Sequence, residues 1–204
     1  MDAAAIKEGR SDVPATDSPL IQLKVLVAGG FGVGKTTFVG SLSEIPPVGT
    51  EQAMTSLSVG IDDAVAVADK AATTVALDFG RITVGDQLVL YLFGTPGQER
   101  FWFMWDELAR GAVGALVLVD MRRLDDCFAA IDYFENRQVP FVVAVNQFPD
   151  GPAYPEDAVR AALALPGECP LMRMDARETR SSLDALVTLV QHALVHAGQR
   201  PGHS

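Results

Sequence analysis

Gly29-Gly30-Phe31-Gly32-Val33-Gly34-Lys35-Thr36 decides how this chain folds. The spacing is glycine, four residues, then Gly-Lys-Thr. Residues 20–28 before it, LIQLKVLVA, are β-branched, apolar and too short for a stable helix, so they read as a strand. Residues 35–43 after it read as a helix. A glycine-rich turn between strand and helix lets successive backbone N–H groups point inward around a phosphate, and the helix N-terminus adds partial positive charge. The spacing makes Gly29, Gly30, Phe31, Gly32, Val33, Gly34, Lys35, Thr36 and Thr37 the candidate nucleotide-binding run. Lys35 reaches the outer phosphates and acts on the transferred one, and the Thr36 hydroxyl is a candidate Mg²⁺ ligand. With no nucleotide bound, Lys35 is expected to face solvent.

Similar apolar runs recur at 75–84, 87–93, 113–120, 140–146 and 171–174. Helical segments lie near 98–110, 124–137, 155–165 and 180–197. In the last of these Leu183, Leu186, Val187, Val190 and Leu194 recur at helical spacing as one apolar stripe. Strand and helix alternate, which implies parallel pairing with helices on both faces. Only Gly85-Asp86 separates 75–84 from 87–93, too little for a crossover, so these two pair antiparallel at an edge. The expected fold is α/β: a six-stranded, mostly parallel sheet with one antiparallel edge strand. Residues 20–197 form the domain, with flexible tails at 1–19 and 198–204. Residues 45–72 make a connection of about 28 residues with little periodicity, a length associated with function or disorder.

Sixteen basic against 26 acidic residues give a net charge of −10. Such a surface repels phosphate backbones and anionic lipid, which argues against nucleic-acid binding and against a direct membrane anchor. No apolar run approaches the roughly 18 residues that span a bilayer. The start lacks the apolar segment of a signal peptide, and Cys127 and Cys169 have no metal spacing, so a reducing cytoplasm is expected.

The next informative residues are Thr73-Thr74-Val75-Ala76-Leu77-Asp78-Phe79-Gly80 and Leu92-Phe93-Gly94-Thr95-Pro96-Gly97-Gln98-Glu99-Arg100-Phe101. Here residues 20–197 resemble the Ras-like small GTPases, a class of P-loop NTPase. The bacterial branch is the nearest in pattern, the MglA-type polarity switches and the GTPase component of actinobacterial conservons, with which the chain shares Pro-Gly-Gln and a Phe-Gly lead-in. The resemblance implies a switch that binds GTP, hydrolyses it to GDP with Mg²⁺ and signals to partner proteins. It makes Thr74 the switch threonine that ligates Mg²⁺, Gly97 the γ-phosphate sensor, and Gln98 the residue that orients the attacking water. The acid that normally opens the second switch is Gly94, and Asp120, at a nearby strand end, is a candidate substitute. Phe31 fills a position that is small in many relatives. No arginine is obviously placed to act on the γ-phosphate, although Arg81 and Arg100 lie near the switches.

In the same family guanine is read by Asn-Lys-x-Asp. This chain has Asn146-Gln147-Phe148-Pro149-Asp150, so the asparagine matches and the acid stands one residue late. Asp175-Ala176-Arg177 takes the place of the last motif, with the Ala176 N–H toward the base oxygen and Arg177 over the ring. GTP is favoured over ATP. Two other readings stay open. One is a kinase or ATPase with Asp120 as its magnesium acid and Arg122, Arg123 and Arg137 as a lid, and the other is a nucleotide-dependent scaffold that does not hydrolyse. The resemblance also implies a roadblock-type partner and a histidine-kinase-like membrane component that recruits the protein. Trp102 and Phe103, an aromatic pair flanked by charges just after the second switch, are the expected contact for a regulator or effector.

Overall fold

The computed structural model describes residues 20–46, 77–97 and 103–199. Thr74, Gln98, Trp102, the residues 1–19 and most of the 45–72 connection lie outside the described residues. The sheet is built from β1 (Ile21–Ala28), β2 (Phe79–Val84), β3 (Leu88–Gly94), β4 (Ala112–Val119), β5 (Phe141–Asn146) and β6 (Leu171–Met174). Its spatial order is β2-β3-β1-β4-β5-β6, and only the β2–β3 pair is antiparallel. The hairpin turn has Gly85 at φ 60°, a conformation that favours glycine. β1 lies between β3 and β4, so the chain leaves it toward one side and returns on the other. Ligands of open α/β sheets bind in the crevice that opens at such a reversal, beyond the strands' C-terminal ends. The glycine run follows β1 directly.

The helices are α1 (Lys35–Leu42), α2 (Trp105–Ala109), α3 (Phe128–Asn136), α4 (Glu156–Ala162) and α5 (Thr179–Gln199). They cover both faces, and residue alternation along the strands serves both. On one face Leu26, Ala115, Val117 and Val143 pack with Trp105, Ile131, Phe134 and Val159. On the other, Val25, Val27, Leu116 and Val142 pack with Phe38, Val39, Leu186 and Leu189. A strand buried on both sides reads as a continuous apolar run, which is why β1, β4 and β5 were legible.

Three expectations are corrected. The helix expected over 124–137 begins as a 3₁₀ turn at Leu124–Cys127 and becomes α-helical at Phe128. The stripe expected on the last helix is rotated: Ser182, Ala185, Leu186, Leu189 and Ala193 are buried, whereas Val187 is 51% and Leu194 65% exposed. Small residues let this helix lie close against the sheet, and apolar spacing alone cannot register them. The same helix runs to Gln199, two residues past the expected domain end. Both cysteines are free and buried, and burial pushes Cys127 up to about 12 and Cys169 up to about 11. Among the described residues no helix is long and apolar enough to cross a membrane.

Candidate functional site

The glycine run wraps the N-terminus of α1, and two of its glycines are required by contact as well as by φ. Gly34 has φ 109°, and a Cβ there would stand 2.6 Å from Asn146 Nδ2; Gly29 has φ 132°, and a Cβ there would stand 2.4 Å from the Leu118 carbonyl. Val33 is buried beneath the loop, Phe31 is 67% exposed, and Thr37 is exposed in the first turn of the helix. The loop is thus held between β4, β5 and α1, the setting in which successive backbone N–H groups can cradle an anion.

Lys35 is buried, against the expectation that it faces solvent. Its Nζ donates to the Gly29 carbonyl at 2.9 Å and the Gly30 carbonyl at 2.7 Å. The loop that would close on a phosphate also folds its carbonyls around the ammonium, and a buried cation requires such partners. Burial lowers the Lys35 pKa to about 8, with the Asp78 charge opposing the shift. An arriving phosphate favours the charged form and raises that pKa again. Nucleotide affinity should therefore be full below about pH 8 and fall by up to tenfold per unit above it, until the bound-state pKa is passed. Calorimetry in buffers of different ionisation heat should show proton uptake on binding near pH 8.5.

The Thr36 hydroxyl donates to Asp78 Oδ2 at 2.9 Å. Asp78 precedes β2, and the register that pairs Phe79 with Phe93 sets it opposite Gly94, whose N–H donates to the Asp78 carbonyl at 2.8 Å. A Cβ on Gly94 would lie 2.8 Å from Asp78 Cβ and 2.9 Å from Asp78 Oδ2. The carboxylate thus occupies the space that a side chain at 94 would fill. Asp78 is not among the residues the sequence singles out at this place, where Asp120 was the candidate acid. Asp120 is committed elsewhere: Arg122 donates to its Oδ1 from the backbone and from Nε at 2.9 Å, and to its Oδ2 from Nη2 at 2.7 Å. Those bonds hold the Asp120 carboxyl below the usual carboxylate range.

Gly97 approaches the loop closely; a Cβ there would meet Lys35 Nζ at 2.9 Å and the Phe31 nitrogen at 3.0 Å. On the opposite flank Asn146 joins two loops. Its Nδ2 donates to the Val33 carbonyl at 2.9 Å, and its Oδ1 accepts the Ala176 N–H at 3.0 Å. That N–H is spoken for, where the sequence reading had it facing the base. Asp175 takes the Arg177 guanidinium at 2.9 and 2.6 Å, which ties that arginine down beside the loop. Asp150 is exposed, and its charge acts on Arg122. Arg122 in turn stacks over Phe148, 3.7 Å from the ring centre.

The three arginines proposed as a kinase lid do not gather. Arg122 holds Asp120 and Phe148, Arg137 pairs with Asp106 at 2.7 Å, and Arg123 turns to the glycine loop. Further along, Phe103 is 73% exposed while Trp105 is buried, its Nε1 donating to the Pro96 carbonyl at 3.2 Å. Among the described residues no three His, Cys, Asp or Glu side chains converge to hold a metal ion. Mg²⁺ in a phosphate site needs only one or two protein oxygens besides the phosphates. A hydroxyl and a carboxylate 2.9 Å apart at the start of α1 meet that need.

The sequence model of a family described as conserved hypothetical ATP binding protein matches residues 27–196. The uncharacterized protein MJ1339 of Methanocaldococcus jannaschii is 31% identical over 128 residues, which cover 62% of this chain and 70% of that protein. Among solved structures, the cytosolic domain of the T. maritima FeoB iron transporter in a GDP form is similar at TM-score 0.62 and 16% identity, over 90% of this chain. This chain spans 66% of that domain's length. The FeoB G-domain from Methanococcus jannaschii is similar at TM-score 0.56 and 12% identity, over 85% of this chain and 98% of that one. At such identities the likeness is one of fold, that of these two FeoB domains.

Proposed function

This chain belongs to the family of conserved hypothetical ATP binding proteins, and for its nucleotide site we propose a guanine-nucleotide switch that hydrolyses GTP to GDP. The observation that carries this reading is the double hydrogen bond of Asn146, which ties the phosphate loop at Val33 to the β6 loop at Ala176. One amide then positions the groups that meet the two ends of a nucleotide. The phosphates are bound by the N–H groups of residues 31–36 and by Lys35, and the base lies against the loop of Asp175 to Arg177.

Thr36 and Asp78 are the residues to hold Mg²⁺, with Thr74 as the expected third. Bound there, the ion would neutralise charge on the β- and γ-phosphate oxygens. Gly97 senses the γ-phosphate by approaching the loop, and Gln98 orients the attacking water. Exchange of GTP for GDP then alters the segment after Gly97, where Phe103 offers an aromatic contact to a regulator or effector and Trp102 is the expected second one. A roadblock-type partner and membrane recruitment from the cytoplasm through a partner belong to the same reading, as does membership in the MglA and conservon branch.

The family's description favours a second reading, adenine, and so does Pro149 where a guanine-reading acid is expected. Competition for fluorescent GDP separates the two. GDP should displace it at least about 100-fold better than ADP, the discrimination of a carboxylate pairing with guanine's two donors. Single-turnover assays should release phosphate from GTP and not from ATP. The reverse order of affinities would make this an adenine-nucleotide protein.

A further inference from the structure

We infer that Arg123 supplies, from within the chain, the positive charge that stabilises the γ-phosphate as it is transferred to water. Arg123 stands in the loop that follows β4, and its Nη2 donates to the Phe31 carbonyl. A Cβ on Gly32 would lie 3.6 Å from the same nitrogen. Asp126, three residues on, packs against Gly30, so the arginine's loop is seated on the phosphate loop along its length. The contact lies beside the catalytic corner: a Cβ on Gly97 would meet the nitrogen of the same Phe31 at 3.0 Å and Lys35 Nζ at 2.9 Å.

The surroundings leave this guanidinium available. Its ion pairs are loose, at 3.5 Å to Asp126 and 3.9 Å to Asp120, whereas Arg122 takes Asp120 at 2.7 Å. A brace for the loop needs one donor, and a guanidinium carries five in a fork suited to phosphate oxygens. The exposed ring of Phe31 stands at the same peptide. A charge supplied in cis does not have to pass it.

The inference rests on the hydrolytic reading above. In the step, a water oxygen bonds to the γ-phosphorus as the bond from phosphorus to the β–γ bridging oxygen breaks. The electron pair stays with the GDP oxygen, and the water's protons pass to phosphate and solvent. Arg123 hydrogen-bonds the oxygens that gain charge, an interaction worth most in the transition state.

The test compares the parent with Arg123→Ala and Arg123→Lys, each loaded with fluorescent GDP in Mg²⁺ buffer and titrated with aluminium fluoride, a mimic of the transferring phosphoryl group. Expected is capture by the parent without any partner, loss of capture in Arg123→Ala and partial return in Arg123→Lys, with GDP affinity within about twofold throughout. Single-turnover phosphate release should fall by about 1,000-fold or more in Arg123→Ala, the scale of an arginine in this role. Equal capture by Arg123→Ala overturns the inference. So does a parallel loss of GDP affinity and melting temperature, which would make Arg123 a brace, and so does a parent that binds GDP but captures no fluoride. A parent that binds no guanine nucleotide at all would instead overturn the reading on which the inference rests.

Discussion

Replacing Lys35 with alanine should raise the dissociation constant for GDP by at least about 100-fold, because charge-assisted hydrogen bonds to phosphate are worth roughly 1.5–3 kcal/mol each. The fold should survive. The ammonium is buried, but its partners are the Gly29 and Gly30 carbonyls at the mouth of the crevice, and water can replace it there. Losing those two bonds should cost about 1–3 kcal/mol of the roughly 5–15 that hold a domain together. The melting temperature of the nucleotide-free variant should drop by a few degrees, with a cooperative transition preserved. Calorimetric titration with GDP and a thermal melt check both halves. Unchanged GDP affinity would falsify the assignment of the loop.

The second large effect concerns Asp78. In Asp78→Asn the side chain keeps its shape and can still accept from Thr36, but the charge is gone. The parent should release GDP slowly in Mg²⁺ and at least tenfold faster in excess chelator, and the variant should release it at the fast rate in both. A reciprocal change sharpens the result. Gly94→Asp alone places a Cβ 2.8 Å from Asp78 Cβ and should destabilise the protein. Asp78→Gly combined with Gly94→Asp moves the carboxylate to the facing strand and should return the Mg²⁺ dependence. If Asp78→Asn still holds GDP more tightly in Mg²⁺ than in chelator, the acid has no part in holding the ion.

The phosphate loop and the sheet were legible in the residues because local rules govern both. Strands buried on two faces read as apolar runs, the Gly85-Asp86 turn gives away the antiparallel pair, and the Gly-Lys-Thr spacing has a mechanical cause. Asp78 was hidden for a different reason. It lies sixteen residues from the glycine whose place it fills, and only the hairpin register brings the two together. Centring the hairpin on its turn and looking opposite Gly94 would have found it. Asp120 drew attention as a strand-end carboxylate, but beside two arginines it is paired with one of them. Arg123 could not be separated from Arg122 and Arg137 by type, since only the path of the loop after β4 sends it to the phosphate loop. The stripe of α5 erred because alanine and serine make close helix–sheet contacts that a count of large apolar residues passes over.

The amide of Asn146 has a thermodynamic consequence. Both of its hydrogen bonds depend on one rotamer, so the loops at Val33 and Ala176 do not settle independently. A ligand that orders the first lowers the entropic cost of ordering the second, and linkage requires the converse by the same factor. With the nucleotide placed as proposed, its two halves would be heterotropic effectors of one another. Selectivity for the base would then be in part a property of what occupies the phosphate loop, and a nucleoside alone would meet a looser, less discriminating surface than the same nucleoside carrying its phosphates.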